Sequence, residues 1–100
     1  MTSPISVQVT PRAQGERQAI LQYTVKTWGT GQGDIYDQIL DDAFRLIQRF
    51  PDIGHPAYGR PSNIREYHLE HHVNQYRREP ERVVIFRIVN SRRRRSSDSC

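Results

Sequence analysis

The spacing of hydrophobic positions changes along this chain, and each change marks an element. Ile5-Ser6-Val7-Gln8-Val9-Thr10 alternates apolar and polar residues, the pattern of a half-buried strand, and Pro11 ends it. From there the spacing becomes helical. Thr10 can cap a helix that carries Pro11 at its first position, and Ala13, Ile20, Leu21, Thr24, Val25 and Trp28 recur at three- and four-residue intervals along one face. Gly29-Thr30-Gly31 closes that helix. A second helix, from about 31 to 50, follows from the wide stripe of Ile35, Tyr36, Ile39, Leu40, Ala43, Phe44, Leu46, Ile47 and Phe50. Gly29 to Gly33 leave so little chain between the helices that they form an antiparallel hairpin.

Pro51 to Ser62 holds three prolines and two glycines and reads as an irregular connection. Glu66 to His72 and Val73 to Arg78 read as one long or two short strands. Glu79-Pro80-Glu81 is then a hairpin turn, and Arg82 to Asn90 return as the last strand. The run Val83-Val84-Ile85-Phe86-Arg87-Ile88-Val89 is β-branched or aromatic throughout except at Arg87. A guanidinium is rarely buried without a partner, so Arg87 should open onto solvent, a carboxylate or a ligand. The order β-α-α-β-β-β predicts an α+β fold, an N-terminal strand with an antiparallel helical hairpin packed on a small antiparallel sheet. The sheet face opposite the helices, where Arg87 can emerge, is left for function or for a partner. Trp28, Tyr36, Phe44 and Phe50 recur on helix faces directed at the sheet and are expected in the core, with no binding role.

Composition narrows the function. One hundred residues suit a single domain, taken as residues 1–95 with a polar, disordered tail over 96–100. Lysine and arginine number 15 against 11 acidic residues, and the resulting +4 favours an anionic partner such as nucleic acid or an acidic protein. Residues 92–95 are four consecutive arginines, which either stay solvated or contact phosphate or acidic protein. Cys100 has no second cysteine to pair with, residues 1–10 lack a basic start followed by an apolar run, and no stretch approaches a membrane span. The expected compartment is the cytoplasm.

Two chemistries can be tested against these residues. RNA cleavage needs a base for the 2′-hydroxyl, an acid for the leaving oxygen and cations for the phosphate. Arg65, Arg77 and Arg87 could supply charge, and His71, His72 or Tyr76 could move protons; the plainer reading pairs the arginines with carboxylates such as Glu66 or Glu70. Metal binding would draw on His68, His71 and His72, with His55 as a fourth ligand. On one strand, alternation puts His68 and His72 on one face and His71 on the other. The expectation is therefore no metal, no cofactor and no small-molecule substrate.

Thr10-Pro11-Arg12-Ala13, Tyr23 with Trp28-Gly29, and Phe50-Pro51-Asp52-Ile53-Gly54 are followed by Ile64-Arg65, Tyr76-Arg77 and Phe86-Arg87-Ile88-Val89-Asn90-Ser91-Arg92-Arg93. In that order and spacing, over about residues 5–93, the chain resembles the RelE/ParE family of type II toxin-antitoxin toxins, its ParE branch above all. The resemblance implies a toxin held inactive by a cognate antitoxin whose C-terminal helix and strand wrap it. ParE members poison DNA gyrase without catalysis, whereas RelE members cleave messenger RNA on the ribosome. A third possibility is a member that binds antitoxin but has lost toxicity. For a gyrase-directed toxin, Arg87, Asn90, Arg92 and Arg93 are the target-contact candidates. A ribonuclease would instead use Arg65, His71, Tyr76 and Arg87. Val7, Val9, Ile20, Tyr23 and Ile39 are candidates for the antitoxin surface, because a thin two-layer domain leaves a groove and an edge for a helix and a strand. This chain departs from the family pattern at Asn90, where histidine is frequent. It departs again at Val73-Asn74-Gln75-Tyr76, which is more polar than the usual aliphatic run. His55-Pro56-Ala57-Tyr58-Gly59-Arg60 also contains no lysine, unlike the basic segment of a RelE-type site.

Overall fold

A computed structural model of the chain describes residues 5–91. Its elements are β1 (Ser6–Val9), α1 (Pro11–Trp28), α2 (Thr30–Arg49), β2 (His55–Pro56), β3 (Ile64–His68), β4 (His72–Arg78) and β5 (Arg82–Asn90). One sheet contains all five strands in the order β1-β5-β4-β3-β2. The four later strands form an antiparallel meander, while β1 lies parallel to β5 with Val7 opposite Val83 and Val9 opposite Ile85. The sheet is thus mixed: its later strands are the small antiparallel sheet expected from sequence, and the N-terminal strand, whose partner the sequence left open, joins it in parallel. Turn residues announce hairpins, but nothing local announces the partner of a strand whose pairing closes across most of the chain. The connection expected to be irregular contributes the two-residue β2. Glu66 to His72 and Val73 to Arg78 resolve into two strands, β3 and β4, with Leu69 to His71 in the turn. The arginine run and the polar tail lie outside the described residues.

Local chemistry explains the helix boundaries. The Thr10 hydroxyl accepts from the Ala13 N–H at 3.2 Å, and Pro11 takes the first turn, where its missing N–H is harmless. Gly29, at φ 97°, ends α1 and starts α2 in a backbone region that a side chain would strain. Gly33 lets the helices approach closely, since a Cβ there would overlap the Val25 Cγ2 methyl. Arg17 crosses from α1 to bond Asp37 at 2.5 Å and Asp41 at 2.8 Å on α2, with its guanidinium over the Phe44 ring.

Ala13, Tyr36, Leu40 and Ile47 from the helices meet Tyr76, Val83, Ile85 and Ile88 from the sheet in one buried cluster. Trp28 and Phe50 do not join it, contrary to expectation: they are 71% and 52% exposed. Both lie at helix ends, Trp28 closing α1 and Phe50 capping α2, outside the stretches that face the buried cluster.

A bulge decides the fate of Arg87. Strict alternation would place it on the same face as Val83 and Ile85, inside the core. Between β4 and β5 the register instead runs Tyr76 to Ile85 and then Gln75 to Arg87, so Phe86 is the extra residue. Ile88 thereby enters the core at 3% exposure, and Arg87, expected to emerge on the sheet face away from the helices, turns instead to the carboxylate of Glu16 on α1.

Candidate functional site

A groove lies between the helical hairpin and the end of the sheet. Ile20, Tyr23, Thr24 and Trp28 of α1 form one wall, the Glu70–His72 turn and residues 87–91 form the other, and the space is about 990 Å³. Tyr23 and Trp28 stand 66% and 71% exposed on the lip. Exposed aromatics beside a concave surface are a common feature of docking sites.

The floor is polar but internally satisfied. Glu16 accepts from the backbone N–H of Ile88 at 2.8 Å and from Arg87 Nε at 2.9 Å. The first of these bonds stands in for a neighbouring strand, because β1 ends at Val9 opposite Ile85 and β5 continues past it. The second neutralises the cation that the sequence offers to a ligand. Deeper in, the Tyr36 hydroxyl lies 2.6 Å from His72 Nδ1. Burial pushes the phenol up to about 12, and burial together with the neighbouring His71 lowers the His72 ring to about 4. A protonated phenol beside a neutral imidazole shares one hydrogen bond with Nδ1, and neither partner carries a charge there.

The ribonuclease candidates fall into two separate places. His71 and Arg87 line the groove. Arg65 and Tyr76 face each other across β3 and β4 and stitch the turn that follows α2. The Tyr76 hydroxyl donates to the Pro51 carbonyl at 2.7 Å and accepts from the Gly54 N–H at 2.9 Å. Arg65 donates to the carbonyls of Gly54 at 2.6 Å and Asp52 at 3.0 Å. Burial raises the Tyr76 pKa, so its proton stays on the hydroxyl. Gly54 is required here, because a Cβ would stand 2.8 Å from the Glu66 carbonyl and from the Tyr76 ring.

Of the target-contact candidates, Arg87 and Asn90 border the groove, while Arg92 and Arg93 lie outside the described residues. Of the antitoxin candidates, Ile20 and Tyr23 line it; Val7, Val9 and Ile39 are half-buried against the core. Sequence reasoning missed Trp28, Glu16 and the Tyr36–His72 pair. Trp28 carried one usable signal: it directly precedes the glycine that turns the hairpin, at the tip least able to reach the sheet. The histidines also sort differently from expectation. His71 and His72 belong to the groove, whereas His55 and His68 stack with ring centroids 5.0 Å apart on the β2–β3 hairpin.

Fold and groove define a small two-layer α+β protein with an open groove beside its sheet, and comparison with known proteins places it. The family described as "ParE toxin of type II toxin-antitoxin system, parDE" matches residues 7–95. The chain belongs to that family and is a toxin of the ParE/RelE superfamily. No curated protein sequence matches it. Among solved structures it is similar to a chain of the chromosomal ParDE toxin-antitoxin system from P. aeruginosa, with TM-score 0.74 and 19% identity over 86% of this chain and 95% of that one. A chain of the RelBE2 toxin-antitoxin complex from Mycobacterium tuberculosis gives TM-score 0.66 and 19% identity over 88% of this chain and 99% of that one. A conserved hypothetical protein from Helicobacter pylori gives 0.52 and 13%, over 86% and 93%. These likenesses establish the shared fold. Among the described residues, no helix is long and apolar enough to cross a membrane.

Proposed function

We propose that this chain inhibits DNA gyrase as a binding protein in the cytoplasm, and that a cognate antitoxin holds it inactive by occupying the groove. The observation that carries the first part is that the ribonuclease candidates divide between two places, Arg65 and Tyr76 at the 51–54 turn and His71 and Arg87 in the groove, with each of them but His71 engaged by another protein group. A ribonuclease needs a base, an acid and a cation around one phosphate. Here Tyr76 and Arg65 are committed to backbone groups of the 51–54 turn, Arg87 is committed to Glu16, and His72 Nδ1 is hydrogen-bonded to the Tyr36 hydroxyl. Inhibition by binding asks for no such constellation. The arginines at 92–95 follow β5 directly in sequence and supply charge for an enzyme engaged with DNA.

Antitoxin capture is supported by the aromatic lip of Tyr23 and Trp28 and by the β5 edge beside it. An amphipathic helix can cover the first and an extended segment can follow the second. A basic toxin and an acidic antitoxin would also attract at long range, so salt should slow association more than it alters dissociation.

The deciding experiment adds the purified protein to gyrase with relaxed plasmid and, in parallel, to a translation reaction with a defined messenger. Supercoiling should stop, or cleaved DNA accumulate, while the messenger stays whole. Messenger cleavage with gyrase untouched would overturn the proposal. So would unimpaired growth of cells expressing the chain without antitoxin.

A further inference from the structure

The β2–β3 hairpin, remote from the groove, gathers three groups of metal-binding type. His55 is opposite Glu66 in the strand register, and His68 lies two residues beyond Glu66 on the same strand face. One donor atom from each of His55, Glu66 and His68 lies within 4.8 Å of the others. We propose that these three residues bind a divalent transition-metal ion of the zinc type, which clips the short β2 strand to β3. The site is independent of the toxin reading.

The donor set selects the ion. Two imidazoles and one carboxylate suit zinc and its neighbours, whereas calcium and magnesium require oxygen ligands. Zinc bonds of about 2.0–2.1 Å need donors closer together than 4.8 Å, and the two exposed histidines can close the remaining distance by side-chain rotation. Glu66 anchors the set: it is 2% exposed, and Gln75 on β4 donates to its Oε2 at 2.9 Å. That bond orients the carboxylate in the way that outer partners orient metal ligands. Both histidines are exposed, so a fourth position would be open to water or to a donor from another molecule. β2 is held by only two register pairs, so a bridge from His55 to β3 would secure the 51–63 connection, and metal would stabilise the fold by mass action.

The test uses the full-length, tag-free chain carrying Cys100→Ser, so that no thiol competes. Calorimetric titration with zinc chloride should give one equivalent bound, a rise in Tm that EDTA reverses and, with Co²⁺ instead, a visible ligand-field spectrum. His55→Ala and His68→Ala, both at exposed positions, should weaken binding at least tenfold while the circular dichroism stays unchanged. Gln75→Ala should weaken it about tenfold, and His71→Ala should leave it intact. Absence of stoichiometric binding overturns the proposal. Binding that survives both His55→Ala and His68→Ala, or that disappears with His71→Ala, overturns it as well.

Discussion

Tyr76→Phe separates a structural tyrosine from a catalytic one. Tyr76 is fully buried, and phenylalanine keeps the ring and its packing, so only the hydroxyl is lost. That hydroxyl serves the buried Gly54 N–H and the partly buried Pro51 carbonyl. Leaving the N–H bare costs about 1–3 kcal/mol, and the carbonyl, closer to solvent, adds about 0.5–1.5 kcal/mol. The sum of about 1.5–4.5 kcal/mol is a large part of the roughly 5–15 kcal/mol that holds a domain folded. In a chain of this size it lowers Tm by roughly 7–22 °C. Urea denaturation followed by circular dichroism should move the midpoint down at constant slope. Arg65 serves the same turn, so Arg65→Lys combined with Tyr76→Phe should cost less than the two single changes added together. An unchanged midpoint in Tyr76→Phe, accompanied by loss of an RNA-cleaving activity, would refute this account and put the phenol in a catalytic site.

Three further outcomes follow from other parts of the structure. The His72 ring titrates near 4 in the fold against 6.5 when free, so the unfolded chain takes up the proton first as pH falls. Stability should therefore be complete above pH 6.5, decline by roughly 1–2 kcal/mol toward pH 4 after allowance for solvent screening, and lose that slope in His72→Gln. Gly33→Ala should destabilise by about 1–3 kcal/mol through overlap with Val25, and Val25→Ala should reverse the sign, because alanine then gains about 0.5–1 kcal/mol of helix preference. Asn74 is fully buried with no hydrogen-bond partner for Oδ1 or Nδ2 among the described residues, so Asn74→Val should raise stability by about 1–2 kcal/mol in the same denaturation assay.

The unusual polarity of β4 illustrates how far the sequence could be read. Val73-Asn74-Gln75-Tyr76 departs from an aliphatic pattern, and the structure assigns the polar groups different roles. Gln75 bonds Glu66, the Tyr76 hydroxyl ties down the 51–54 turn, and the Asn74 side-chain amide has no hydrogen-bond partner among the described residues. Each partner is remote in sequence, so no local pattern could have named it. The same holds for His55 and His68, which periodicity along one strand could not bring together because they lie on two.

The sequence alone determined both helices, every strand but β2, and their order: the Thr10-Pro11 helix start, the Gly29 break, the stripe from Ile35 to Ile47 and the branched run of β5. These are local properties, fixed by backbone preference and by the spacing that lets one face become apolar. Tertiary structure decided the parallel placement of β1 and the bulge at Phe86 that turns Arg87 toward Glu16. It also decided the exposure of Trp28 and the meeting of His55, Glu66 and His68. Each depends on which surface lies opposite a residue across a long stretch of chain, and a side chain's environment, unlike its periodicity, does not exist until that surface has formed.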